Sequence, residues 1–411
     1  MQKHIETLII GGGQAGLSVS YYLTQSRREH IVLEGSDRAG NAWRNDRWDS
    51  FTLVTPNWAF RLPGAEYDGQ HSHSFMPRNE IVSRFESYVE RFHLPVHYGV
   101  KVLSVESEDS GYRVECDQEA WNTAKVVMAT GLYQEPKIPP FHDKVPGDVL
   151  QLPSGKYRNP SALPSGAVLV VGSGQSGCQI AEELYQAGRV VYLCVGKAGR
   201  APRRYRGKDA FEWLDLSGFL DRPADQLPSP AARFAGNPHL SGKDGGHSTN
   251  LHQFYRDGVT LLGHLRDIQG GKFYLEPDLK AGLQAADKFE ADLTAMIDGY
   301  IEKTGLEAPH ETLPRLQDGY AAPEITELDM KSAGITSVIW ALGYTFDFNL
   351  VHLPILDRFG YPTGQRGLTD YKGLYFVGLP WLAGRKSGLL LGVGEHAAEV
   401  AAHIAQEKVA R

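Results

Sequence analysis

Cysteine is scarce in this chain. Cys116, Cys178 and Cys194 are the three present in 411 residues, and no two of them are spaced as CxxC. Neither a disulfide framework nor a thiolate metal site is expected, and the thiols read as small buried hydrophobes in a reducing compartment. Long apolar runs are missing too. No stretch of about 18 apolar residues occurs, so no membrane-spanning helix is expected. There is no long basic run, and the formal net charge is -7. Nucleic acid, whose phosphates favour a basic surface, is therefore a poor candidate partner. No residue spacing suggests a metal site. Met1-Gln2-Lys3-His4 leads directly into an apolar strand with no leader pattern, which makes the cytoplasm the expected location.

Glycine, by contrast, is plentiful, at 45 residues. Two stretches share one grammar. In the first, the apolar strand Glu6-Thr7-Leu8-Ile9-Ile10 is followed at once by Gly11-Gly12-Gly13-Gln14-Ala15-Gly16. Helical spacing covers residues 17–25, and a second strand, Ile31-Val32-Leu33-Glu34, follows. In the second, Val168-Leu169-Val170-Val171 precedes Gly172-Ser173-Gly174-Gln175-Ser176-Gly177. Residues 180–187 are helical, and Val190-Val191-Tyr192-Leu193 is the next strand. Residues 134–164 between the units are rich in Pro, Gly and Ser and read as a linker. Residues 200–327 read as an insertion, with a helical piece at 289–301. Strand signals return at Val338-Ile339-Trp340 and at 373–378, and a last helix is expected at 394–409. The predicted fold class is α/β with two Rossmann-like dinucleotide-binding domains. One is discontinuous, spanning 1–160 and 330–411, and the other spans 161–329.

Each loop suits a dinucleotide. Gly11 permits the tight turn, Gly13 lets backbone approach a pyrophosphate, and Gly16 allows helix and strand to pack closely. Gln14 and Ala15 lie in the same loop, ahead of a helix whose N-terminal N–H groups and partial positive charge favour phosphate. Glu34, about 20 residues on, is placed to accept from ribose hydroxyls. Gly172, Gly174, Gln175, Ser176 and Gly177 repeat the pattern. There the following strand ends without an acid, and Lys197, Arg200, Arg203, Arg204 and Arg206 come after it. Basic side chains would pair with a 2′-phosphate that an acid would repel, so NADPH is expected over NADH.

Glu34 to Arg44, with Gly40, Trp43 and Arg44 in it, resembles the segment that wraps FAD in flavin-containing monooxygenases. Ala129-Thr130-Gly131 resembles the second FAD fingerprint of that superfamily, and Leu132-Tyr133-Gln134-Glu135-Pro136-Lys137-Ile138-Pro139 its ensuing motif. Ala341-Leu342-Gly343-Tyr344 resembles the ATGY element, with Leu342 in place of Thr. The segment ending at Gly378 resembles the last strand before the flavin ring. In order and spacing the chain is similar to class B flavoprotein monooxygenases. It is most like a bacterial subgroup found beside nitrilase genes, on Arg47-Trp48-Asp49-Ser50-Phe51, Val54-Thr55-Pro56-Asn57-Trp58 and Arg203-Arg204-Tyr205-Arg206-Gly207. The resemblance implies FAD on the first loop, NADPH on the second, O₂ and a small organic substrate, and a homodimer as a family expectation. The absence of CxxC counts against a dithiol reductase, which shares this layout.

One departure matters. If Tyr157 ends the family signature FxGxxxHxxx(Y/F), its His position is Pro153, its first position Gly147 and its Gly position Val149. Proline cannot donate a hydrogen bond. Oxygen insertion thus stands beside two alternatives: an FAD dehydrogenase or oxidase, and a flavin-binding redox sensor, which would not need the second loop. No catalytic side chain is assigned. Trp48, Phe51, Trp58, Phe60 and Trp381 are candidate walls of a dry pocket or plain core. His71 and His73 are candidate acid–base groups or a solvated loop. Arg385 and Lys386 are candidate stabilisers of reduced flavin or loop cations.

Overall fold

In the computed structural model, which describes residues 3–407, the chain builds two sheets, the second nested within the first. It opens with strand β1 (Lys3–Ile10), helix α1 (Gln14–Gln25) and β2 (His30–Glu34). A short helix, Asn41–Asn45, leads towards α2 (Arg78–Phe92). Strands β3 (Val96–Tyr98), β4 (Val102–Glu108), β5 (Gly111–Cys116) and β6 (Ala120–Met128) follow. The chain then crosses to β7 (Leu150–Pro153), β8 (Ala167–Val171), α3 (Gln175–Gln186), β9 (Val191–Cys194) and β10 (Thr260–Leu262). A long helix α4 (Leu279–Thr304) precedes β11 (Ile335–Trp340), and the chain returns through β12 (Leu374–Phe376) to helix α5 (Val393–Gln406).

The first sheet has seven strands in the order β3-β2-β1-β6-β5-β4, with β12 also on β6. Pairings among β3, β2, β1, β6 and β12 are parallel, and β4 and β5 add an antiparallel hairpin. The second sheet is five-stranded and all parallel, in the order β7-β11-β8-β9-β10. Parallel strands are covered on both faces, so they read as unbroken apolar runs and their side chains alternate between two cores. Along β1, Leu8 and Ile10 enter one core while Ile9 joins Val19 and Leu23 of α1 and Val400 and Ile404 of α5 in another. Along β8, Val168 and Val170 face α3 and Leu169 and Val171 face the opposite side.

Several expectations are adjusted. β7 and β11 were placed with the first domain by the boundaries at 160 and 330, yet both hydrogen-bond into the second sheet, Leu150 opposite Ser337 and Pro153 opposite Trp340. The expected linker 134–164 therefore carries an edge strand, where Pro153 is tolerated because an edge leaves one side without ladder partners. The helical piece at 289–301 is part of a 26-residue helix. Its first turns bury Leu279 and Leu283 against the second sheet, while its later ones, with Leu293 and Ile297, pack beside Trp213. The last helix ends at Gln406, and residues 408 and 409 of the expected span, like Met1 and Gln2, lie outside the described residues.

Candidate active site

The two glycine loops lie between a strand and a helix at the carboxyl ends of parallel strands in the two sheets, where open α/β folds bind ligands. Their geometries repeat. Gly11 and Gly172 both have φ +107°, a conformation L side chains rarely adopt, and a Cβ on either would lie 2.6 Å from a carbonyl oxygen, of Ala129 and Ala341 respectively. A Cβ on Gly16 or Gly177 would strike the carbonyl oxygen of Gly11 or Gly172. Gly13 and Gly174 differ: a Cβ there would meet nothing within 4 Å. Each is the N-cap of its helix, with no side-chain cap and no acid in the first turn. First-turn N–H groups lack intrahelical acceptors. Both helices thus present uncapped, positively polarised ends to open space, which fits two phosphate-bearing groups.

Around the first loop, Glu34 accepts from the N–H of Gly12 at 2.6 Å and of Ser36 at 2.9 Å. A carboxylate offers about four lone-pair sites, so capacity remains for ribose hydroxyls. Gly378, at φ +89°, packs against Ala15, and Gln14 Nε2 donates to the Gly388 carbonyl at 2.8 Å. Residues after β12 are thereby held over the start of α1. Thr130 Oγ1 and the Gly131 carbonyl both accept from Gln134 Nε2, at 3.0 and 2.8 Å. Trp43 is half-buried beside Phe51, with the Arg47 guanidinium 5.3 Å from its ring. Arg44 is turned to Glu86 on α2 at 2.6 Å, and its buried Nε has no partner.

Around the second loop the predicted cations separate. Lys197 is exposed just beyond β9. Arg200 is buried on Glu290 and Asp287 of α4, at 2.7 and 2.8 Å. Arg203 is 2% exposed and paired with Asp209. Arg204 donates to the Gly245 and Gly246 carbonyls, and Arg206 pairs with Asp298 at 2.8 Å. The four arginines of this run are thus each engaged by partners of their own, and Lys197 is left facing solvent. Gln175 exchanges hydrogen bonds with the Leu240 backbone, Nε2 donating and Oε1 accepting, and Ser176 is half-buried in the first turn of α3. Ala341 donates its N–H to the Val171 carbonyl at 2.8 Å, so the segment resembling ATGY adjoins the second loop.

Trp48, Phe51 and Phe60 belong to the core, as does Tyr157, whose hydroxyl donates to Glu183 at 2.9 Å. His71 and His73 are exposed on their loop. Lys386 is taken up by Asp221 and Glu395. The sequence reading gave Asn57 no role beyond a shared run, yet it is buried with Nδ2 donating to the His71 carbonyl at 3.0 Å and Oδ1 unpartnered. It also missed His239, fully buried next to Leu240. Neither carries a local signal, because their burial comes from segments distant in sequence. All three cysteines are buried and free, and burial pushes the Cys116 and Cys194 thiols up to about 11 and about 12. Burial of this kind disfavours the thiolate, the nucleophilic form of cysteine.

Residues 8–211 match the family described as pyridine nucleotide-disulphide oxidoreductase. The CzcO-like oxidoreductase of Geobacillus kaustophilus is 34% identical over 404 residues, covering 97% of each chain. YUCCA4 of Arabidopsis thaliana, named for indole-3-pyruvate monooxygenase activity, is 26% identical over 209 residues, half of each chain. The chain belongs to the flavin-containing monooxygenase-like class B family. The solved flavin-containing monooxygenase of Stenotrophomonas maltophilia shares the fold, with TM-score 0.65, 18% identity and 98% of each chain covered. So does the bacillithiol disulfide reductase of Staphylococcus aureus, with TM-score 0.63, 15% identity and coverage of 99% of this chain and 100% of that one. Members of this flavin monooxygenase family use FAD and NADPH, and its homologues are flavin-dependent oxidoreductases; this chain is an enzyme of that kind.

Proposed function

We propose that the chain binds FAD at the first glycine loop and NADPH at the second, and catalyses NADPH-driven oxygenation of a small organic substrate. The observation that carries this reading is the repeated loop: two uncapped helix ends, each with an open second glycine. When bound, the flavin supplies the electron and oxygen chemistry. The chain's own work is binding and exclusion. The first-turn N–H groups of Gln14 and Ala15 hold one pyrophosphate, and Glu34 orients the ribose. Trp43, Arg44, Thr130, Gly131 and Gly378 border the same site. The first-turn groups of Gln175 and Ser176 hold the second pyrophosphate, and Lys197 meets the 2′-phosphate. Arg203, buried on Asp209, supports that region from within, while Arg204 is exposed and braces the Gly245–Gly246 turn. Water is kept out by the apolar packing around Trp58 and Leu391.

Reduction without oxygen insertion is the second reading, favoured by Pro153. It lies in an edge strand and has no N–H to offer a reacting oxygen. Anaerobic rapid mixing with NADPH or NADH tests both. Bleaching of the flavin band, faster with NADPH, is expected. No bleaching with either nucleotide overturns the assignment of the second loop. Admitting O₂ to the reduced protein then distinguishes the readings. Quantitative hydrogen peroxide release, unchanged across a substrate panel, favours the oxidase.

A further inference from the structure

The segment after β12 crosses the mouth of the first glycine loop, tied there by Gln14 to Gly388. A stretch of the second unit lies against it. The Arg385 N–H donates to the Arg222 carbonyl at 3.1 Å, and Pro223 bridges Gly384 in antiparallel fashion. Two guanidiniums meet at this junction. Arg222 lies 4.3 Å and Arg385 4.7 Å from the centroid of the same ring, that of Phe219, and Arg385 also stacks 5.6 Å from the Trp381 ring. Phe219 joins Trp58, Leu220, Leu389 and Leu391 in one apolar cluster.

The neighbouring acids are already engaged. Asp221 and Glu395 hold Lys386 at 2.7 and 2.8 Å, and Asp215 faces Arg61 at 3.8 Å. Among the described residues, neither Arg222 nor Arg385 has a carboxylate within ion-pair distance. Two like charges on one ring, one of them half-buried, repel each other, and burying a charge without a partner is costly. Burial, and then the charge of Arg222, push the Arg385 guanidinium down. An anion seated between them would relieve both costs.

We propose that Arg222 and Arg385 recognise the carboxylate of an aromatic acid substrate, whose ring packs on the cluster around Trp58 and Phe219. The inference rests on the first glycine loop being the flavin site, since Gln14 at that loop holds the segment that carries Arg385. Two planar guanidinium forks suit a carboxylate, which they bind in bidentate fashion, and the surrounding aromatics suit the remainder of such a molecule.

Calorimetric titration of the flavin-loaded protein with phenylacetate and with phenylacetamide, two probes alike in ring and length, tests it. Phenylacetate is expected to bind at least tenfold more tightly than the amide. Arg385→Gln should close that gap and Arg222→Gln narrow it, both leaving the amide's affinity in place, which also reports an intact fold. Arg385→Lys, which keeps the charge and loses the fork, should restore part of the preference. The proposal is overturned by equal binding of acid and amide, by no binding of phenylacetate, or by a preference that survives both Gln substitutions. Displacement of phenylacetate by NADP⁺ also overturns it and assigns the arginines to the nucleotide. Failure to retain FAD overturns the reading of the first loop and is seen in the flavin absorbance before any titration, so the two readings fail separately.

Discussion

At the scale of single residues, the glycines divide by what a methyl group would meet. Gly13 and Gly174 have ordinary extended backbone, φ -84° and -74°, and open space beyond. Gly174→Ala should therefore fold and keep its flavin while losing about tenfold or more in NADP⁺ affinity, about 1.4 kcal/mol. Gly177→Ala should instead lower stability by about 1–3 kcal/mol, because its Cβ is driven into backbone. Calorimetry with NADP⁺ and melting curves separate the two. The basic residues divide similarly. Lys197→Ala should weaken NADPH binding by roughly three- to tenfold and spare NADH, the signature of a phosphate contact. Arg203→Ala should act on stability, by about 3–5 kcal/mol, since it strands the buried carboxylate of Asp209. Denaturant midpoints and nucleotide titrations, run on both variants, give opposite patterns if this holds. The sequence showed a run of positive charge after β9, but not that Glu290, Asp209 and Asp298 come from other turns of chain to absorb it.

At the scale of elements, strands and helices around the glycine loops were legible because their signals are local: an apolar run, a glycine turn, a 3.6-residue spacing. Sheet membership was not. Leu150-Gln151-Leu152-Pro153 is four residues without a pattern of its own, and it becomes a strand only by pairing with β11, which lies far along the chain. The two crossovers between the sheets run side by side, Glu135–Pro136 antiparallel to Tyr344–Thr345, and Gln134 accepts from the Asp347 N–H at 3.0 Å. This ribbon is the seam between the units. Elsewhere a polar contact inside the first sheet binds β1 to its neighbours. Glu6 pairs with Arg28 and, at 3.1 Å, with Lys125, which is 3% exposed. Glu6→Ala leaves the Lys125 ammonium buried and alone, and equilibrium denaturation should register a loss of about 3–5 kcal/mol. A loss below about 1 kcal/mol would show that water reaches Lys125.

At the scale of the whole molecule, acid sensitivity follows from buried imidazoles. Burial lowers the pKa of His30 and His396, and that of His239 to about 3, so the folded protein holds them neutral. The unfolded chain protonates histidine near 6.5. Below that pH the unfolded state binds more protons, and stability falls as pH falls, for His239 across the window from 6.5 to about 3. Urea titrations between pH 7 and 5 should show falling stability, and His239→Leu should flatten the slope by up to about 1.4 kcal/mol per pH unit. An unchanged slope would mean that His239 reaches water before the protein unfolds.

The nesting of the second sheet within the first has a consequence for synthesis. The C-terminal half of β6 pairs with β12, Val126 opposite Leu374, and all of the second sheet lies between them in the chain. While the ribosome is still making the middle of the protein, β6 presents an unpaired edge in the midst of an otherwise formed sheet, the kind of edge that recruits strands from other chains. The nascent protein is most exposed to misassembly late, after the second unit has emerged but before Phe376 has. A message cut short anywhere in that interval would yield a polypeptide with both glycine loops and an open edge on β6.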